Sequence, residues 1–217
     1  GNGTKYGFPI FELDRFTDIE LHHLHYLDNW MVTSEWGKGI IIEGLSKIRG
    51  EDYVKEHTHV VPLGVDREVF REATSHREET IFFNCGKWEV RKGHDILVKA
   101  FNEAFNEKIR IIPRQKTQQD VYNIMTQTDC GVFPARAEGW NLELLEMMSC
   151  GKSVIATNYS AHTEFCNDDN CMLVDTEEKE DAVDGFWFRG QGQWASIKEK
   201  EISSLAEHMR TVHEQKK

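Results

Sequence analysis

No apolar run in these 217 residues approaches the length needed to cross a bilayer, and no secretory signal opens the chain, so a cytoplasmic protein is expected. Cations are outnumbered, 26 Lys and Arg against 37 Asp and Glu. The net charge of −11 therefore speaks against sequence-independent nucleic-acid binding, which needs a basic face. The five cysteines are an odd number without the short paired spacing of a zinc knuckle, so reduced, buried thiols are expected rather than disulfides. A P-loop is missing too. Cys150-Gly151-Lys152-Ser153 ends like one, but the glycine required five positions before Gly151 is Glu146.

What is present is an alternation of β-rich and helical stretches, which implies an α/β protein with a parallel sheet. Strands are expected at residues 8–13, 29–33, 58–62, 80–85, 109–113, 131–133, 153–157 and 172–174. Helices are expected at 18–27, 35–45, 96–105, 117–126, 142–150 and 197–213. The acidic run 177–184 reads as a solvated face, and Phe186, Trp187, Phe188 and Trp194 as core or a domain seam.

The centre of the chain is the strand-loop-helix-strand unit around Glu138 to Gly151. Asn141 is a good helix N-cap and Gly151 a good helix stop. Gly139 would let the backbone approach a ligand, and the N–H groups from Gly139 to Leu142 would attract an anion at the helix N-terminus. The intervening helix is apolar almost all round, and against that background Glu143 and Glu146 stand out. Spacing alone leaves them open to two readings, an ordinary solvent stripe or a functional pair.

A second stretch, Gly86-Lys87-Trp88-Glu89-Val90-Arg91-Lys92-Gly93, follows a strand and opens a helix, as phosphate sites do at the carboxyl edge of α/β sheets. Its bland reading is an exposed basic loop. His22, His23 and His25 lack a fourth ligand fixed by spacing and read as surface histidines.

Taken together, Glu138-Gly139-Trp140-Asn141-Leu142 followed by Glu146 and Cys150-Gly151 resembles the Glu-x7-Glu signature of retaining GT-B glycosyltransferases of the group 1, or family 4, class. Residues 86–95 resemble that family's Gly-Arg-x-x-x-x-Lys-Gly-x-Asp segment, with Lys87 where Arg is usual. Residues 60–66 resemble its interdomain linker. The resemblance implies a truncated GT-B protein: residues 1–63 a remnant of the N-terminal Rossmann-like domain, 64–190 the nucleotide-sugar-binding Rossmann-like domain with helices on both faces of its sheet, and 191–217 a closing helix packed on the remnant or on a partner. It implies that Lys87, Arg91 and Lys92 meet the diphosphate near Gly86, Gly139, Trp140, Asn141 and Leu142. Glu138 would contact the donor sugar on the face where the acceptor attacks, and Glu146 would take both ribose hydroxyls.

Transfer from a nucleotide-diphospho-sugar with retention, to an unidentified acceptor, is the implied activity. The chain has no Asp-x-Asp pair, the metal-holding motif of the other main glycosyltransferase fold, so neither metal nor cofactor is expected. The chain is about half the length of two such domains. That leaves a second possibility, a donor-binding module without turnover, completed by a partner or by a homodimer through its incomplete N-terminal face.

Overall fold

The computed structural model describes residues 3–216. Two parallel sheets dominate it. The first unit contains β1 (Tyr6–Gly7), α1 (Asp18–Leu24), β2 (Asn29–Val32), α2 (Glu35–Arg49), α3 (Glu51–His57) and β3 (Thr58–Val60), with strand order β1-β2-β3. Its elements start where the side chains can cap them. Thr17 and Glu20 form a reciprocal capping box on α1, and the Ser34 hydroxyl accepts the Gly37 N–H at the start of α2. Trp30 is fully buried against Val32, Ile41, Leu45 and Val54, and its indole N–H donates to the Leu24 carbonyl at 2.9 Å.

The second unit contains β4 (Phe82–Phe83), α4 (His94–Ala104), α5 (Gln118–Met125), β5 (Cys130–Phe133), α6 (Leu142–Ser149), β6 (Ser153–Asn158) and β7 (Met172–Asp175), in the strand order β4-β5-β6-β7. It ends with an antiparallel hairpin, β8 (Lys179–Val183) and β9 (Arg189–Ala195), and with α7 (Glu199–Lys216). Successive side chains of a strand face opposite ways, so β5 and β6 each feed two cores. Phe133, Val154 and Ala156 pack under α5 and α6, while Val132 and Ile155 pack under α4 and α7. Helices therefore cover both faces of this sheet.

Several expectations are corrected. The closing helix packs within the second unit. Ile202, Leu205, Met209 and Val212 of α7 lie on α4 and the second sheet, where each buried apolar side chain contributes roughly 1.5–3 kcal/mol. Residues 109–113 form no strand. They pair with no strand of any sheet although β4 is an edge strand, and Ile109 and Ile111 are exposed. Residues 8–13 are not a strand either. Pro9 cannot donate to a ladder, and the segment instead lies across the second unit.

The acidic run is one strand of the hairpin. Trp194 is core, packed with Leu13, Ala137 and Ala182, but Phe186 and Trp187 at the hairpin tip stand in solvent. The tip holds its shape because one oxygen of Asp184 accepts the N–H groups of Phe186, Trp187 and Phe188.

The two units are fastened at the carboxyl ends of their strands. Thr33 donates its hydroxyl to the Gly139 carbonyl at 2.5 Å, and Glu164 accepts the Glu35 N–H at the start of α2. Asp14 holds the hairpin through Lys179 and the Gln193 N–H, both at 2.8 Å.

Candidate functional site

Two loops of the second unit carry the candidate residues, and the backbone zips them together. Gly93 has φ +71°, and a side chain there would begin 2.0 Å from the Pro134 carbonyl oxygen, so only glycine lets the β4–α4 loop lie on the β5–α6 loop. The Arg136 N–H donates to the Arg91 carbonyl at 2.7 Å beside it. The contact holds Lys92 next to Glu138.

Glu138 is buried between two cations. Its Oε2 accepts from Arg91 at 2.8 Å, and Lys92 Nζ lies 2.8 Å from Oε1. Burial alone would raise the Glu138 pKa. The charges of Arg91 and Lys92 outweigh it and hold the carboxyl below its usual range. The Lys92 contact, at 2.8 Å to Oε1, is a close ion pair.

Arg91 is less available than the sequence suggested. It is 4% exposed and engages Glu89, Glu138 and the Ala137 carbonyl, so it braces the loop beside the cavity it lines. Lys92 spans Glu138 and, at 3.7 Å, Glu143. Lys87 is exposed on the rim.

At the head of α6, Asn141 adopts φ 77°, an αL conformation that asparagine tolerates better than most residues. Its Oδ1 accepts the Leu144 N–H, and its Nδ2 donates to His162 Nε2 at 2.8 Å. That direction makes His162 a neutral ring with its proton on Nδ1, facing the Thr157 carbonyl, and burial depresses its pKa accordingly. No motif marks His162, whose importance is purely a matter of position.

Gly139 also receives the first unit, since a Cβ there would meet Ile10 Cγ2 and the Phe11 carbonyl, each at 2.8 Å, while the residue lines the first cavity. Trp140 turns its ring toward Phe165, at 4.8 Å between centroids, although its residue lines the site.

Two cavities open where these loops meet. One, of about 250 Å³, lies among Glu12, Lys87, Lys92, Glu138, Asn141 and Leu142. The other, of about 280 Å³, lies among Cys85, Gln115, Lys116, Thr117 and Glu146. Leu142 and Glu143 border both, so α6 separates them only at its first turn. Among the described residues no cation pairs with Glu146, although Lys116 lines the same cavity. Burial, with a smaller contribution from Glu143, pushes its pKa up to about 7, and burial with Glu143 and Glu146 pushes the Cys85 thiol up to about 11. Glu12, at the mouth of the first cavity, escaped the sequence reading because residues 8–13 carry no motif and no usable periodicity.

Known proteins give this arrangement a class. The fold resembles the pneumococcal O-GlcNAc transferase GtfA, solved with UDP and GlcNAc (16% identity, TM-score 0.61, covering 91% of this chain and 40% of GtfA). It resembles Anabaena HepE, solved with UDP and glucose (14%, 0.62, covering 93% and 64%), and S. aureus TarM, solved with UDP (12%, 0.62, covering 98% and 44%). The chain thus spans between two fifths and two thirds of these proteins. No curated protein matches the sequence. The fold is that of the GT-B glycosyltransferases. Within that class, residues 102–186 match the family described as glycosyl transferases group 1, which contains the whole of the β5–α6–β6 unit.

Proposed function

We propose that this chain binds a nucleotide-diphospho-sugar and supplies the donor side of a metal-independent transfer that retains the anomeric configuration. The observation that carries the reading is the meeting of the two cavities at the first turn of α6. Glu138 borders one, Glu146 the other, and cations stand beside the junction. A diphosphate at that junction would meet the N-terminal dipole of α6, with Lys87 and Lys92 in reach. Leaving-group charge would then develop against fixed positive groups, which is where stabilisation lowers a barrier. The sugar would lie toward Glu138 and the ribose toward Glu146, whose two oxygens suit a vicinal diol. That GT-B neighbours were solved with UDP supports the nucleotide-sugar part of the reading.

Calorimetric titration with UDP, GDP and ADP tests the reading, repeated on Glu146→Ala and Lys92→Ala. Binding of one nucleotide, weakened at least tenfold by each substitution, is the expected result. Binding of none, or binding indifferent to both changes, rejects it. A second reading, a donor-binding module without turnover on its own, is favoured by the partial coverage of the neighbours and by GtfA having been solved in a GtfA/B complex. Hydrolysis of the bound sugar nucleotide by the isolated chain would reject that second reading.

A further inference from the structure

The first cavity holds an acid that the family signature does not contain. Glu12 sits on residues 8–15, which cross from the first unit to the second and are held on both sides. Phe11 seats its carbonyl on Gly139, Leu13 is buried, and Asp14 binds Lys179 and the Gln193 N–H. The backbone carrying Glu12 is therefore fixed. Its carboxylate lies 3.7 Å from Arg91, too long for a direct hydrogen bond, and a third of the side chain remains open. Arg91 does not need this partner, since Glu89 and Glu138 already engage it at 2.5 and 2.8 Å.

The charges around this cavity are unevenly paired. Three acids, Glu12, Glu138 and Glu143, share the lining with Lys87, Arg91 and Lys92, but the two buried cations are already engaged by Glu138, so Glu12 is left without a direct partner among the described residues. A volume of about 250 Å³ falls below the range of roughly 300–1,000 Å³ typical for drug-sized ligands, so it suits a single monosaccharide rather than a whole sugar nucleotide. Carboxylates accept hydrogen bonds from hydroxyls and repel another carboxylate.

Resting on the donor-site reading above, we propose that Glu12 is a specificity-determining residue of the sugar subsite, accepting a hydroxyl of an uncharged sugar and excluding uronate donors. Burial raises the pKa of Glu12 despite Arg91, as befits an acid facing a confined space rather than bulk water.

The test measures binding and needs no turnover. The full chain is titrated with the nucleotide identified above, with its neutral sugar conjugates, and with its uronate. For uridine these are UDP, then UDP-glucose, UDP-galactose and UDP-N-acetylglucosamine, then UDP-glucuronate. For guanosine they are GDP, GDP-mannose and GDP-mannuronate.

At least one neutral conjugate should bind more tightly than the bare nucleotide, and the uronate at least about tenfold more weakly than that conjugate. Glu12→Gln should weaken the neutral conjugate by about three- to tenfold, leave the bare nucleotide unchanged and narrow the gap to the uronate. Glu12→Asp, which keeps the charge on a shorter stem, should preserve the exclusion of the uronate while losing part of the neutral sugar's affinity. A merely structural role would move the bare nucleotide as much as its conjugates.

Equal loss for both, no change with Glu12→Gln, or a uronate bound as well as the neutral sugars overturns the proposal while leaving the donor site standing. Wild-type chain that binds no nucleotide at all overturns the donor-site reading, and this inference falls with it.

Discussion

The two cavities that meet at Leu142 and Glu143 share a helix yet treat charge in opposite ways. In the first, Glu138 is buried with two cations beside it and its acidity is increased. In the second, Glu146 is half-buried with no cation paired to it among the described residues, and its pKa rises to about 7. The same side-chain chemistry, eight positions apart in the chain, is thus locked on one side and left to titrate on the other. A locked group holds the loops together before any ligand arrives. A titrating group contributes little to the fold and waits for a partner.

Breaking the locked side should have the largest effect. Glu138→Ala would leave Arg91 and Lys92 with an unbalanced buried charge, a loss of about 3–5 kcal/mol by the usual cost of removing one partner from a buried pair. Denaturant unfolding checks it, and a loss below about 1 kcal/mol would mean that water reaches the pair. Gly93→Ala breaks the same side through the backbone. The strain of a positive φ costs about 1–3 kcal/mol, to which the collision with Pro134 adds, and the unfolding midpoint should drop without a change in slope.

The titrating side is broken by pH. A carboxylate must be ionised to accept two ribose hydroxyls, so nucleotide affinity should fall as pH drops below 7, by up to about tenfold per unit, and Glu146→Gln should flatten that profile while binding weakly throughout. The stability consequence has the opposite sign. A pKa raised from 4.5 to about 7 means the folded chain holds a proton that the unfolded chain has released, so this group's contribution falls as pH rises from about 4.5 to 7. Glu146→Gln should accordingly be neutral or mildly stabilising above pH 7, whereas Glu138→Gln should be destabilising there.

The smallest effect is expected far from both cavities. Trp187→Ala at the exposed hairpin tip should shift stability by no more than about 0.5 kcal/mol and leave nucleotide affinity alone, whereas Trp194→Ala at the buried base should cost about 3–5 kcal/mol.

Both cavities were legible in unequal measure. Glu138, Gly139, Asn141 and Glu146 stand in one continuous stretch whose N-cap, apolar helix and glycine stop are local signals, and the helix forms where those signals place it. Lys87 and Lys92 announced themselves as cations between two glycines. The committed role of Arg91 was hidden, because its partners Glu89, Glu138 and Ala137 are partly remote in sequence. Glu12 was hidden for the same reason, lying more than a hundred residues from the loop it faces. The aromatic residues at 186–188 and 194 looked alike in sequence and separate in space, since hairpin pairing puts two of them at a free tip and one against Leu13 and Ala137.

By itself the sequence determined the alternation of strands and helices, the cap and stop of α6, and the pair of glutamates on the central motif. These depend on neighbours within a turn or two, where backbone hydrogen bonds and periodicity act. Only the tertiary structure decided that α7 closes on α4, that residues 109–113 stay unpaired, that Gly139 receives Phe11, and that one glutamate is locked while the other titrates. Burial and electrostatics depend on which distant groups arrive together, and that is settled by packing rather than by any one stretch of chain.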